Sequence, residues 1–179
     1  MKTRRLKLII AFFLLGVVFI YMLSVLWKAH VENLFREYVQ NPIPESVAQI
    51  KVDKAMSKRK GYGYVFRFNI EREDFESIRK SRSFRKAIIN SYVKGNGLSW
   101  EWEDWDSTKT DEVRGVSFSM YALVHKPLWY DLPTWENPEA YALRKLGSNN
   151  NRDTQVLLYN SKLGQAYFIT FHYGGGLFL

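Results

Sequence analysis

Residues 8–27, LIIAFFLLGVVFIYMLSVLW, form an uncharged run of 20 residues near the start of the chain, and no other feature limits the outcome so strongly. As a helix such a run is about 30 Å long, the thickness of a bilayer's hydrocarbon core. Fourteen of the 20 are Leu, Ile, Val or Phe, each favouring insertion by up to about 0.5 kcal/mol. A buried core helix would show a polar stripe, which this run lacks. A cleaved signal peptide is the competing reading. Its apolar region is shorter, and small residues close it. Here Trp27 and Met22 stand two positions before Ala29 and Ser24. The run is therefore expected to stay in place as a transmembrane anchor, with the lipid bilayer as its partner.

Charge gives the expected orientation. Lys2, Arg4, Arg5 and Lys7 precede the run, whereas residues 28–42 hold only Lys28 and Arg36, beside Glu32 and Glu37. The positive-inside rule then predicts a cytoplasmic flank at 1–7 and a C-terminal part outside the cytoplasm. Arg4, Arg5, Lys7, Trp27 and Lys28 are the expected membrane-interface residues. Without the flank, 22 basic residues face 18 acidic ones. That balance does not point to nucleic acid. The absence of cysteine removes disulfides, thiolate metal sites and Cys nucleophiles from consideration.

Beyond the anchor, Val31, Leu34, Phe35 and Tyr38 recur at helical spacing and predict a juxtamembrane helix whose stripe packs on its own domain or on the membrane. Pro42 and Pro44 make a hinge, so 28–44 links the anchor to a domain over 45–179. Residues 45–56 fit either a short helix or an extended segment. From Tyr62 to Ile70 the alternation predicts a strand with one buried face, Tyr62, Tyr64, Phe66, Phe68 and Ile70 sharing it. A helix is expected from about Glu73, running on through Phe84, Ile88 and Ile89 to the Gly-rich stretch after Lys94. Residues 116–124 predict another strand. After a connection rich in Pro, Trp and Glu, residues 155–159 and 165–173 flank a turn at 160–164 as a hairpin. The expected fold class is α+β: a transmembrane helix, then a small domain with a mainly antiparallel sheet of four or more strands and one or two packed helices.

No catalytic residue is assigned. His30, His125 and His172 lie at no ligand spacing, so neither a metal nor a cofactor is expected. Gly115-Val-Ser-Phe-Ser119 lacks the last glycine of a nucleophile elbow. Gly61-Tyr-Gly63 and Gly174-Gly-Gly176 do not open helices and make no phosphate cradle. The unusual segment is 99–112, with three Trp and six carboxylates in fourteen residues. Trp rings stack on sugars or cations while carboxylates take hydroxyls or positive charge. The candidate binding residues are accordingly Trp100, Glu101, Trp102, Glu103, Asp104 and Trp105. The plainer alternative has the Trp residues packing inward along a strand with solvated carboxylates between them. Basic runs at 51–60 and 79–86 read as solvated faces.

The functional expectation is a single-pass cell-envelope protein that binds a protein or glycan partner without catalysis. An envelope enzyme cleaving polysaccharide with a carboxylate pair from 99–112 is the alternative.

Overall fold

A computed structural model describes residues 2–56, 61–93, 97–103, 115–118, 129–146 and 152–173. The first element, α1 (Lys2–Tyr38), is one unbroken helix of 37 residues, about 55 Å long. Its two parts meet different surroundings. Between Phe12 and Trp27 its large apolar side chains are 49–72% exposed. Beyond them Val31, Phe35 and Val39, four residues apart on one face, are buried in the domain. The expected juxtamembrane stripe is thus the last part of the same helix, and it packs on its own domain. The amides of Val39 and Gln40 both donate to the Phe35 carbonyl and close the helix ahead of Pro42.

The domain is α+β. Its strands are β1 (Ala48–Met56), β2 (Gly61–Asn69), β3 (Arg85–Val93), β4 (Gly97–Trp102), β5 (Gly115–Phe118), β6 (Glu139–Leu146), β7 (Arg152–Asn160) and β8 (Gln165–Tyr173), and α2 (Arg72–Ser81) follows β2. They form one sheet in the order β1-β2-β8-β7-β6-β3-β4-β5, every described pairing antiparallel. The expected hairpin is present as β7 and β8, paired from Asn160–Gln165 to Arg152–Tyr173 without a shift. The ambiguous segment before residue 56 is β1. There Gln49 sits at φ 52 in a register shift between Ala48 and Lys51, which interrupts the alternation a strand needs to be recognised.

Two expectations are corrected. The helix that starts near Glu73 stops at Ser81, and Phe84, Ile88 and Ile89 do not continue it. Ser83 adopts a left-handed φ of 57, while the Phe84 amide donates to the Arg79 carbonyl. This reverses the chain into β3, where Ile88 and Ile89 lie. The connection before the final hairpin also contains β6. Of the expected strand at 116–124, residues 115–118 form β5 and 119–124 lie outside the described residues.

Acidic Glu73 and Asp74 in the first turn of α2 and basic Arg79 and Lys80 in its last complement the helix dipole. Asp74 also accepts from the Ser46 amide (3.1 Å) and hydroxyl (2.6 Å), tying the segment before β1 to α2.

Alternate residues of the central strands enter two cores. On one face Phe66 and Phe68 of β2, Ala166 and Phe168 of β8, Leu157 and Tyr159 of β7 and Tyr141 of β6 meet Phe35 of α1, Val39 just past its end, and Phe75 and Ile78 of α2. Each fully buried large apolar side chain contributes about 1.5–3 kcal/mol. On the other face Val65, Tyr167, Ile169, Val156, Leu158, Ala140 and Ala142 are covered by Tyr130, Leu132 and Trp135, from a segment with a 3-10 turn at Leu132–Thr134. The expectation of one buried face on β2 is therefore incomplete: Val65 is as fully buried as Phe66.

Candidate functional site

The acidic-aromatic segment begins inside the sheet. β4 pairs with β3 at Ile89–Trp100, Ile88–Glu101 and Ala87–Trp102 and with β5 at Trp100–Val116 and Glu101–Gly115. Strand alternation puts positions 100 and 102 in one row and 101 and 103 in the other. The Glu103 amide continues the pairing by donating to the Lys86 carbonyl at 3.2 Å. Its carboxylate is exposed and meets Lys86 Nζ at 2.8 Å. The side chains of Trp100, Glu101 and Trp102, and all of Asp104 and Trp105, lie outside the described residues. Of the six candidates, Glu103 is thus the one whose side-chain setting is seen, and it is an ion pair at the surface.

Among the described residues, charged side chains form two further clusters that the sequence did not announce. On the face covered by the 129–135 segment, Arg67 of β2 donates to the Trp129 carbonyl (2.8 Å) and to Gln165 Oε1 (2.9 Å), and its guanidinium lies 3.2 Å from Asp131 Oδ2. The Tyr167 hydroxyl donates to Asp131 Oδ1 (2.8 Å) and accepts from the Asp131 amide (3.1 Å). Burial, more than these bonds, pushes the Tyr167 phenol well above its ordinary pKa. Arg67 and Tyr167 act as a clasp that holds the segment on the sheet. Its members are 62 and 98 residues apart where Arg67 meets Trp129 and Gln165, so no local spacing reveals them.

The second cluster joins the start of α2 to β6. Arg72 bonds Glu139 and lies 3.0 Å from Glu76, which takes Arg79 Nε at 2.7 Å. Tyr141 donates to Glu139 at 3.0 Å. The hydrogen bond from Arg72 is the main reason that the Glu139 carboxyl lies below its usual range, and the same bond raises Arg72. Burial raises Tyr141. A carboxylate held ionised by a guanidinium is a poor proton donor near neutral pH. This arrangement fastens a helix to a sheet.

The expected membrane-interface residues occupy two levels of α1. Arg4, Arg5 and Lys7 belong to its first two turns, their side chains outside the described residues. Trp27 is 63% exposed, its ring 5.8 Å from that of His30. Lys28 is exposed and lies 3.9 Å from Glu32. Among the described residues no three of His, Asp and Glu converge as a metal site would need.

Fold and sites together define an α+β domain carried on one N-terminal helix that is long and apolar enough to cross a membrane. Comparison with known proteins finds no matching family model, no similar curated protein and no similar solved structure.

Proposed function

We propose that the protein is a single-pass membrane protein of the cell envelope whose domain is a binding or accessory module without catalysis of its own. The observation behind this reading is the state of α1. Its apolar side chains between Phe12 and Trp27 stand 49–72% exposed, while the same helix finishes inside the domain core. Left in water, such a surface forgoes about 1.5–3 kcal/mol for each large side chain, which a bilayer supplies. Lys2, Arg4, Arg5 and Lys7 at the start favour a cytoplasmic N-terminus and a domain on the opposite side.

The ion pairs support the non-catalytic part of the reading. Asp131, Glu76, Glu139 and Glu103 are each engaged by a Lys or Arg, which suits a rigid scaffold. The binding surface we assign is Trp100, Glu101, Trp102, Glu103, Asp104 and Trp105, for a protein or glycan of the envelope; the first three belong to β4.

The reading is tested on the full-length protein in membranes. It should stay in the pellet after alkaline carbonate washing, and protease should reach the domain only from the non-cytoplasmic side. Release by carbonate overturns the anchor; digestion from the cytoplasmic side reverses the orientation. A photo-crosslinker at position 103 should form an adduct in cells that is lost in the Trp100→Ala/Trp102→Ala variant. An adduct indifferent to both Trp residues places binding elsewhere.

A further inference from the structure

The packing of α1 fixes which end of the domain points back along the anchor. Phe35 is closest to Phe68 (5.0 Å between ring centroids), then to Phe66 (6.1 Å). One turn further on, Tyr38 is 4.8 Å from Tyr64 and 6.5 Å from Phe66. Each step outward along α1 is therefore a step backward along β2, so the two run antiparallel. The Ser81 hydroxyl, at the far end of α2, reaches Gln40 at 3.0 Å, in accord with the same direction. The end of the sheet where Asn69 pairs with Gln165 accordingly faces Trp27.

At that end stands the β7–β8 turn. Asn160 Oδ1 accepts from the amides of Lys162 (3.1 Å) and Leu163 (3.3 Å), Gly164 takes φ +58, and the Gly164 carbonyl accepts from the Ile70 amide at 2.9 Å. This well-bonded turn holds Leu163 out at 54% exposure. Among the described residues outside α1, only Ile88 is another exposed large apolar side chain.

The heights agree. Trp27 precedes Phe35 by eight residues, about 12 Å of helix. The tip of the turn lies beyond Phe68 by one strand residue and its own projection, roughly 8–10 Å in the same direction. The two levels differ by only about 2–4 Å on these spacings. A second measure agrees: Val31 is already buried in the domain, about 6 Å of helix from Trp27.

Resting on the anchor reading above, we infer that the β7–β8 turn seats Leu163 in the headgroup layer of the same membrane that α1 crosses, giving the domain a second contact with the lipid surface. Lys162 beside it keeps its ammonium in water while its methylenes lie along the interface. Charge does not drive the contact. Glu71 and Glu73 are exposed at the same end, Arg72 is engaged by Glu76 and Glu139, and Lys28 by Glu32. The surface suits a zwitterionic headgroup layer that accepts an apolar side chain.

The chain has no cysteine, so one introduced Cys is a unique labelling site. Full-length Leu163→Cys, Lys80→Cys and Tyr21→Cys variants, each carrying a nitroxide, are reconstituted in phosphatidylcholine vesicles. Collision with oxygen, which enters lipid, is compared with collision with a water-soluble nickel chelate. Position 163 should show several-fold less nickel access than position 80 and more oxygen access, with position 21 deep in lipid. If 163 is as open to nickel as 80 while 21 stays in lipid, the inference falls and the anchor stands. If 21 is open to nickel, the anchor reading falls and takes the inference with it. Low access of both reagents to 163 marks a protein contact and overturns the lipid assignment. Protection that requires anionic lipid, or that disappears in high salt, overturns the apolar one.

Discussion

The two faces of the central sheet are buried by different chemistry. Where α1 and α2 pack, rings meet rings: Phe35 lies edge-on to Phe66 and Phe68, and Phe75 stacks on Tyr159 at 4.4 Å. Helices satisfy their own backbone, so this cover asks the sheet for no backbone partners. The opposite face is covered by the 129–135 segment, whose backbone groups need partners from elsewhere. Tyr167 and Arg67 reach up from the sheet to supply them. A face closed by a loop has to spend polar side chains on the loop's backbone; on the helix face Arg72, Glu76, Glu139 and Tyr141 bond one another instead.

That contrast can be broken by substitution, and the largest effect belongs to the helix face. Phe66→Ala removes a fully buried ring between two elements and should cost about 3–5 kcal/mol, read by urea unfolding of the full-length protein in mild detergent. A loss below about 0.5 kcal/mol, the range of exposed sites, would refute the helix-face core. Tyr167→Phe keeps the ring but strips the Asp131 carboxylate and amide of a partner; a loss of about 1–3 kcal/mol is expected. Faster proteolysis within 129–135 than in the parent should accompany it, whereas intact protection of that segment would refute the clasp.

The alkaline limb of stability sharpens the comparison. Because burial raises the Tyr167 phenol, the folded state keeps a proton that the unfolded chain loses near pH 10. The stabilisation is complete below that pH and is lost as pH rises through it toward the folded value. Unfolding followed across the alkaline range should show a downward slope that Tyr167→Phe flattens. Tyr141, also raised by burial, contributes a smaller part on the other face. Smallest of all is the surface pair of the candidate site. Lys86→Ala, which frees Glu103 at an exposed bridge, should move stability by no more than about 0.5 kcal/mol. A larger loss would mean that Glu103 belongs to a structural network.

What was legible in the sequence follows from where two faces differ. The hairpin of β7 and β8 announced itself through a polar turn between two runs. β2 was visible because Arg67 and Asn69 break its second row, although that second row is buried at Val65 all the same. β6 was not visible: Ala140 and Ala142 enter one core while Tyr141 enters the other, so no apolar-polar alternation remains. The overrun of α2 has a similar cause. Phe84, Ile88 and Ile89 satisfy helical spacing, and the left-handed turn at Ser83 leaves no glycine to mark it. Of the proposed binding segment, the alternative reading as an alternating strand fits residues 99–102, which lie in β4; that β4 already starts at Gly97, read as the close of a helix, was not legible. The engagement of Glu103 by Lys86 comes from the β3–β4 pairing, not from nearby positions.

The unbroken run of α1 from apolar segment to core makes the spacing between them a setting of angle as well as of height. Each residue advances a helix about 100° in azimuth and 1.5 Å along its axis. Two extra residues after Trp27 would swing the whole domain by about 200°, while seven would return it nearly to its original heading about 10 Å higher. Whatever meets the domain therefore finds it facing a compass direction fixed by the few residues between Trp27 and Val31.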